Sequence, residues 1–312
     1  MNGGSPRRKK AIIILNGISL RKKLFYHEYL PAISGLFDVE VKETLSKNDA
    51  RALASKYADK YVDIILAAGG DGTLHQVING ILKGREHETK LPAVGVIPIG
   101  SGNDFARGAG LTGKVDQVLE KLSSLRTRPV DVGVIEFNPS PDPGSETDSA
   151  YFINVADIGM GPHVVEQVQK SGRPFGSAVA YYKSILKTFV TYKPMIIKAI
   201  ADDWTWEGKM RTLAVANGRY YGHGLCIAPD AALDDRIFSV FICGDVSVLD
   251  FIRHTGALKK GKYVSMDQLF YKTSTAISLT SNKPCPIEGD GEVLGWLPAS
   301  VRMIEKQLNF LL

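Results

Sequence analysis

The sequence predicts an α/β domain built on a parallel sheet, followed by a β-rich domain of sandwich type. Three observations lead there. Strand-like and helix-like stretches alternate over the first 130 residues. Such βα repeats imply parallel strands with helices on both faces. Beyond Val130 the pattern changes to short apolar runs separated by turn residues, as in an antiparallel domain. The length of 312 residues suits two domains better than one core.

The elements follow in order. "AIIIL" (11–15) is a continuous β-branched run, the mark of a strand buried on both faces. "FDVEVKET" (37–44) alternates like a second strand. Leu53, Ala54, Tyr57, Ala58 and Tyr61 form a helical stripe within 48–61, with Ser46 or Asn48 as cap. "VDIILAA" (62–68) is a further buried strand. Leu74, Val77, Ile78, Ile81 and Leu82 are spaced for one helix face, and Gly84 can end that helix. "VGVIPI" (94–99) is another strand, and Val115, Val118, Leu119 and Leu122 mark another helix. In the second half, "DVGVIEFN", "AYFINVADIG", "PMIIKAIAD", "RTLAVANG", "IFSVFIC" and "TAISLT" read as strands. "PSPDPGSETDS" (139–149) reads as a hairpin tip, and 177–192 is the one clear helix there. Domain limits of 1–130 and 131–300 follow.

Composition narrows the class. Hydrophobic residues make up 44% and charged residues 23%, which excludes a disordered chain. Cys226, Cys243 and Cys285 are scattered, so neither a disulfide framework nor a zinc site is expected, and a reducing compartment is. The apolar run after Pro6-Arg7-Arg8-Lys9-Lys10 is too short for a signal peptide or a membrane span. These features place the chain in the cytoplasm. The net charge of +5 suits a nucleotide or an anionic membrane surface as partner, and no nucleic acid is expected. A homodimer is compatible with the sequence.

Two glycine turns directly follow strands: "GGDGT" (69–73) and "PIGSGNDFARG" (98–108). Both fall at carboxyl ends of parallel strands, where open α/β sheets bind ligands. Bare backbone N–H groups at a helix start attract phosphate. A ligand-free turn accounts for the glycines but poorly for Asp71 and Asp104. Acids there suit a magnesium–phosphate complex or a substrate hydroxyl. The GxGxxG at 108–113 does not follow a strand and is expected to be a connection between helices. His75 is expected on a solvated face or as a cap. Trp204 and Trp206 are read as sheet packing. Tyr181, Tyr182, Phe189 and Tyr192, with Lys183, Lys187 and Lys193, are read as a packed helix with its lysines in water rather than a membrane-facing one.

"GGDGTLHQVING" followed by "VGVIPIGSGNDFARG" resembles the catalytic domain of the diacylglycerol kinase family, which includes bacterial lipid kinases, sphingosine kinases and ceramide kinases. "IEGDGE" (287–292) and "APDAALDDRIFSV" (228–240) resemble later elements of that family. Departures are Asn16-Gly17 for Asn-Pro, Gln76 for glutamate, Arg236 for glycine, and "GMGPH" (159–163) without an acid.

The resemblance implies a Rossmann-like N-terminal domain, a C-terminal β-sandwich, and a last segment (301–312) returning to the first domain. It implies an ATP- and Mg²⁺-dependent kinase acting on a lipid hydroxyl, most simply that of diacylglycerol or a related glycerolipid. A sphingoid base or phosphatidylglycerol is an alternative acceptor, and a silent nucleotide- or lipid-binding regulator an alternative role. Peripheral membrane contact is implied with it. ATP would lie on Asn16, Thr44, Gly69, Gly70, Asp71, Gly72, Thr73 and Ser101. Glu292, Asp71 and Asp104 would be catalytic. Bacterial relatives point to Glu292 as base with Asp71 organising metal and phosphate; sphingosine kinases point to the Asp71 position instead. A structural Mg²⁺ would take Asp235 with backbone of Ala232 and Ile237, a site that Arg236 puts in question.

Overall fold

A computed structural model describes residues 7–46, 48–60, 62–85, 88, 90–111, 113–142, 144, 146–170, 178–305 and 307–312. The chain divides into two compact units. The first holds residues 1–100, 110–129 and 308–312; the second holds 101–109 and 130–307.

The first unit carries a six-stranded sheet. Its order is Asp38–Glu43, Lys10–Leu15, Ile64–Gly69, Ala93–Pro98, Leu308–Leu311, Thr127–Val130. The strands from Asp38–Glu43 to Leu308–Leu311 pair in parallel. The apolar runs in Lys10–Leu15 and Ile64–Gly69 are buried along their length, as strands covered on both faces must be. The chain order reverses about Lys10–Leu15: one neighbour in sequence lies to one side and the next to the other. Ligands of open α/β sheets bind at such a switch point, beyond the carboxyl ends of the strands.

Helices Asp49–Ala58, Asp71–Leu82 and Val115–Ser124 take the expected stripes, with Ala54, Val77, Ile78 and Leu122 fully buried. Tyr61 of the first stripe lies outside the described residues. The first two helices lie very close together. A Cβ on Gly80 would stand 2.3 Å from the Arg51 carbonyl oxygen and 2.7 Å from Ala54 Cβ. Arg85 clamps the same pair: it donates to the carbonyls of Gly80 (3.1 Å) and Ser55 (3.2 Å) and pairs with Asp59. One helical rod is not signalled by periodicity. Residues Lys22–Leu24, Phe25–Tyr29 and Leu30–Leu36 run on with a π-turn in the middle. That insertion shifts the apolar positions Phe25, Tyr29 and Ile33 off a simple 3.6-residue repeat.

The second unit is a ten-stranded, mainly antiparallel sheet that folds back on itself. Strand Thr205–Ala216 closes it. Its first half pairs with Met195–Ala201, and its second half with Val155–Gly159 and Phe238–Gly244. The register shifts between Met210 and Thr212, and the bulge aims Arg211 at the helices. Arg211 donates to the carbonyls of Phe189 (3.0 Å) and Val246 (2.8 Å) and pairs with Asp245 (2.9 Å). The sandwich-like interior is packed with Phe152, Ile158, Met210, Val215, Phe238 and Val301. Trp204 and Trp206 pack against it, and Trp204 Nε1 donates to the Thr273 carbonyl at 2.9 Å.

This unit has more helices than the single one expected over 177–192. Ala178–Thr191 is joined by Met160–Lys170 and Val248–Lys259. The last begins at Ser247, whose Oγ accepts the Asp250 N–H at 3.2 Å, a capping pattern legible in Ser-x-x-Asp. Residue 177 lies outside the described residues. The segment 139–149 joins the antiparallel pair Gly133–Asn138 and Asp148–Phe152, with 143 and 145 outside the described residues.

Replacing Gly80 by Ala forces a Cβ into the crossing of two helices. The expected loss is about 1–3 kcal/mol of stability, the usual cost of overpacking. It should appear as a lower urea midpoint with unchanged slope, and an unchanged midpoint would contradict the close crossing.

Candidate functional site

The glycine turn of the first unit is built by three strand ends. Helix Asp71–Leu82 starts with Gly70 as an extended N-cap and no side-chain cap. The Leu74 N–H closes the first turn on the Gly70 carbonyl at 3.1 Å. The preceding N–H groups have no intrahelical acceptor, and with the helix dipole they form a ready anion site. Gly69 is required by a close approach: a Cβ there would lie 2.2 Å from Thr73 Oγ1. Thr73 Oγ1 in turn accepts from Asn16 Nδ2 at 3.3 Å. After the first strand, the Gly17 N–H donates to Thr44 Oγ1 at 3.2 Å, and the Thr44 N–H donates to the Leu15 carbonyl at 2.9 Å. A Cβ on Gly17 would meet the Thr44 carbonyl oxygen at 2.1 Å. Asn16, Thr44, Gly69 and Thr73 are thus tied together through side chains and close backbone.

Asp71 is half-buried at the first helical position. A carboxylate there gains about 0.3–1 kcal/mol from the helix dipole. It is tolerated at the helix end, yet it sits where an anion would bind, so a cation between the two suits the place. His75, expected in water, is buried in the same helix, and Asn79 Nδ2 lies 3.3 Å from its ring.

Ser101 and Asp104 belong to the second unit, where Ser101 is exposed. Asp104 is buried in the short helix Asp104–Gly108. Its Oδ2 accepts the His223 N–H at 2.8 Å, and Arg107 Nε lies 3.8 Å from Oδ1. His223 has a left-handed φ of 64° and stands between the two short strands Tyr220–Tyr221 and Leu225–Cys226. Burial and the nearby Arg107 lower its imidazole pKa, which keeps the ring neutral against Tyr181, stacked at 4.4 Å. Sequence reasoning missed His223. The signal was a histidine between glycines in "YGHGL", where a positive φ is most easily accepted. Residues 108–113 join two helices, as expected, with residue 112 outside the described set.

Glu292 is half-buried at the start of strand Glu292–Met303. It follows a tight turn in which Asp290 (φ 51°) and Gly291 (φ 86°) are both left-handed. The Asp290 carboxylate secures that turn by accepting the N–H groups of Ile153 (3.1 Å), Asn154 (2.9 Å) and Val155 (3.1 Å).

The positions implied for a structural magnesium lie on either side of Arg236. Asp235 is the only side chain of the three, and its Oδ1 accepts the Ile237 N–H at 3.1 Å. Between them Arg236, at φ 65°, brings its own cation: Nε lies 3.5 Å from fully buried Asp131 Oδ1. Asp131 also accepts the Arg236 N–H at 2.7 Å and Gln307 Nε2 at 2.6 Å. Among the described residues no three Asp, Glu, His or Cys side chains are grouped as metal ligands.

The second unit also holds an apolar cavity of about 80 Å³. Val164, Ile185, Phe189, Phe241, Phe251 and Leu258 furnish much of its wall. The tyrosine and phenylalanine positions of helix Ala178–Thr191 therefore face protein, while Lys183 and Lys187 are exposed.

Residues 10–135 match the diacylglycerol kinase catalytic domain. Residues 154–312 match the YegS C-terminal NAD kinase beta sandwich-like domain. The chain belongs to the diacylglycerol kinase family. It is similar to a diacylglycerol kinase of Bacillus subtilis, 26% identical over 298 residues that cover 93% of this chain and 92% of the relative. A diacylglycerol kinase of Staphylococcus saprophyticus is 26% identical over 306 residues, covering 97% and 95%. A solved diacylglycerol kinase structure from Bacillus anthracis has the same fold, with a TM-score of 0.71 at 20% identity over 99% of this chain and 98% of that one. Membership of this family makes the protein a kinase, and a kinase uses a nucleotide.

Gly70 has φ −101°, open to any residue, so Gly70→Val should leave the fold intact. The added side chain would block backbone approach to phosphate. Calorimetry should show Mg-ATP binding lost while the circular dichroism spectrum is retained. Binding at the wild-type level would remove the glycine turn as the nucleotide site.

Proposed function

We propose that this kinase transfers the γ-phosphoryl group of Mg-ATP to the hydroxyl of a lipid, diacylglycerol or a related glycerolipid. The observation that carries the acceptor is the cavity. A cavity of about 80 Å³ with an almost wholly apolar wall, inside the second unit, suits a stretch of hydrocarbon and not a polar metabolite. The lipid kinases among the relatives point the same way.

The backbone N–H groups of Asp71, Gly72 and Thr73 would receive the phosphates, with Asn16 and Thr44 bracing the strand ends beside them. Asp71 would hold the magnesium that accompanies ATP. Magnesium supplies charge neutralisation to the transferring phosphoryl group. Glu292 would accept the proton of the lipid hydroxyl as its oxygen attacks the γ-phosphorus, and ADP would leave. Asp104 would organise the centre while anchored on the His223 peptide.

A lipid must be reached in its membrane. No helix among the described residues is long and apolar enough to cross one. Helices Ala178–Thr191 and Val248–Lys259, which both wall the cavity and stack Phe189 on Phe251 at 5.1 Å, expose Val190, Leu249 and Ile252. Lys183, Lys187, Arg253 and Lys259 are exposed on the same two helices. Apolar side chains with flanking cations are the composition of a peripheral contact with an anionic leaflet.

Glu292→Gln should keep Mg-ATP binding and lose turnover by on the order of 10²–10⁴-fold, the usual cost of removing a general base. Asp71→Asn should weaken both. Calorimetry with Mg-ATP beside a phosphatidic acid assay separates them. Near-normal turnover in Glu292→Gln, with a dead Asp71→Asn that binds Mg-ATP normally, would transfer the role of base to Asp71.

A further inference from the structure

Two carboxyl groups of the second unit are buried side by side. Asp157 and Glu288 are both fully buried and stand directly opposite each other on antiparallel strands. They are supplied with donors very unequally. Asp157 Oδ2 accepts the Tyr221 hydroxyl at 2.5 Å and Oδ1 accepts Thr212 Oγ1 at 2.8 Å. The backbone N–H groups of Ile158 and Gly161 also donate to it. Glu288 Oε2 accepts one N–H, that of Gly291, at 2.6 Å. Its buried Oε1 has no hydrogen-bond partner among the described residues.

Burial raises the pKa of both carboxyls, and the charge of Asp157 raises Glu288 further. Two carboxylates at such a site cannot both ionise. Four donors hold the negative charge on Asp157, so the proton belongs to Glu288. Asp290 and Glu292 are the other acids facing Glu288, and Tyr221, Tyr192, Cys243 and Cys285 surround Asp157. Arg211 is the cation that acts on Tyr192 and Cys243 from this side.

The pair connects two functional places. Gly291 is the residue before Glu292, in the left-handed turn. At the other end Tyr221, Thr212 and Gly161 line the apolar cavity. The packing there leaves no slack: a Cβ on Gly161 would lie 1.6 Å from Asp157 Oδ2 and 2.2 Å from the Tyr221 hydroxyl. The Asp290 carboxylate already secures the turn as a whole, so the Glu288 contact bears on the orientation of the peptide leading into Glu292.

We propose that Glu288 is a positioning residue for Glu292: its carboxyl fixes the Gly291 peptide and, facing Asp157 across the strand pair, links that turn to Tyr221 and the wall of the cavity. The proposal rests on Glu292 being the base. A chain seated against Tyr221 would then stiffen the turn that presents the base, so that an occupied cavity and a correctly aimed carboxylate go together.

The test is steady-state kinetics with Mg-ATP and diacylglycerol in mixed micelles on Glu288→Leu, Glu288→Gln, Tyr221→Phe and the Tyr221→Phe/Glu288→Leu double variant. Glu288→Leu should lower kcat by on the order of 10²-fold, the cost of an ångström-scale misplacement, with KM for Mg-ATP unchanged. Glu288→Gln is always neutral and still offers an oxygen to Gly291, so it should restore most of the rate. Tyr221→Phe should lower kcat, and its effect should not add to that of Glu288→Leu. A wild-type kcat in Glu288→Leu, or a glutamine variant as slow as the leucine one, overturns the proposal. If circular dichroism shows Glu288→Leu unfolded, Tyr221→Phe decides, because it removes one hydroxyl and no packing; a wild-type kcat there is equally fatal. Glu292→Gln is measured alongside. Retained turnover in that variant refutes the base, whereas its inactivity beside a fully active Glu288→Leu refutes only the positioning role.

Discussion

The uncapped first turn of helix Asp71–Leu82 is the constraint around which the first unit is arranged. Most helices satisfy their leading N–H groups with a serine, threonine or aspartate at the N-cap. Here the N-cap is Gly70, with no side chain to offer. Thr73, which could have turned to solvent, is held by Asn16 and pressed against Gly69. Buried parallel strands and the clamp of Arg85 at the other end of the same helix hold that turn. The glycine turn and the Asp71 carboxylate then share one helix end.

The second unit solves a different problem. It keeps an apolar cavity among strands and helices while several charged groups lie within the same fold. Each charge is fixed by a specific device. Arg211 leaves the sheet at a bulge and is consumed by helix-end carbonyls and Asp245. Arg236 stands against Asp131 in a backbone conformation that glycine would adopt more easily. Asp157 accepts the Tyr221 and Thr212 hydroxyls, and Glu288 accepts the Gly291 N–H. The surface that these groups leave to the cavity is almost wholly hydrocarbon.

The parallel sheet and its main helices were legible because each carries its own periodicity. "AIIIL" and Leu74 to Leu82 are patterns that local sequence can express. The helical rod that begins at Lys22 was not legible, because its π-turn shifts the apolar repeat in mid-course. The helices Met160–Lys170 and Val248–Lys259 were passed over beside stronger strand signals, although Ser247 and Asp250 announce the second. The glycine turns and the acids Asp71, Asp104 and Glu292 stand out in sequence because each lies in a short span rich in glycine. His223, Asp157 and Glu288 do not, since their meaning lies in contacts across strands: His223 with Asp104 over 119 positions, Tyr221 with Asp157 over 64. Arg236 was visibly out of pattern, but only the structure shows its guanidinium beside Asp131.

The most direct measurement is transfer of labelled phosphate from ATP by the wild-type protein to a panel of acceptors in anionic vesicles: diacylglycerol, a sphingoid base, phosphatidylglycerol and free glycerol. The account predicts labelled phosphatidic acid from diacylglycerol, none from free glycerol, and a rate that falls as salt screens the vesicle surface. Labelling of glycerol in solution at a comparable rate, or of none of the lipids while Mg-ATP still binds, would contradict it.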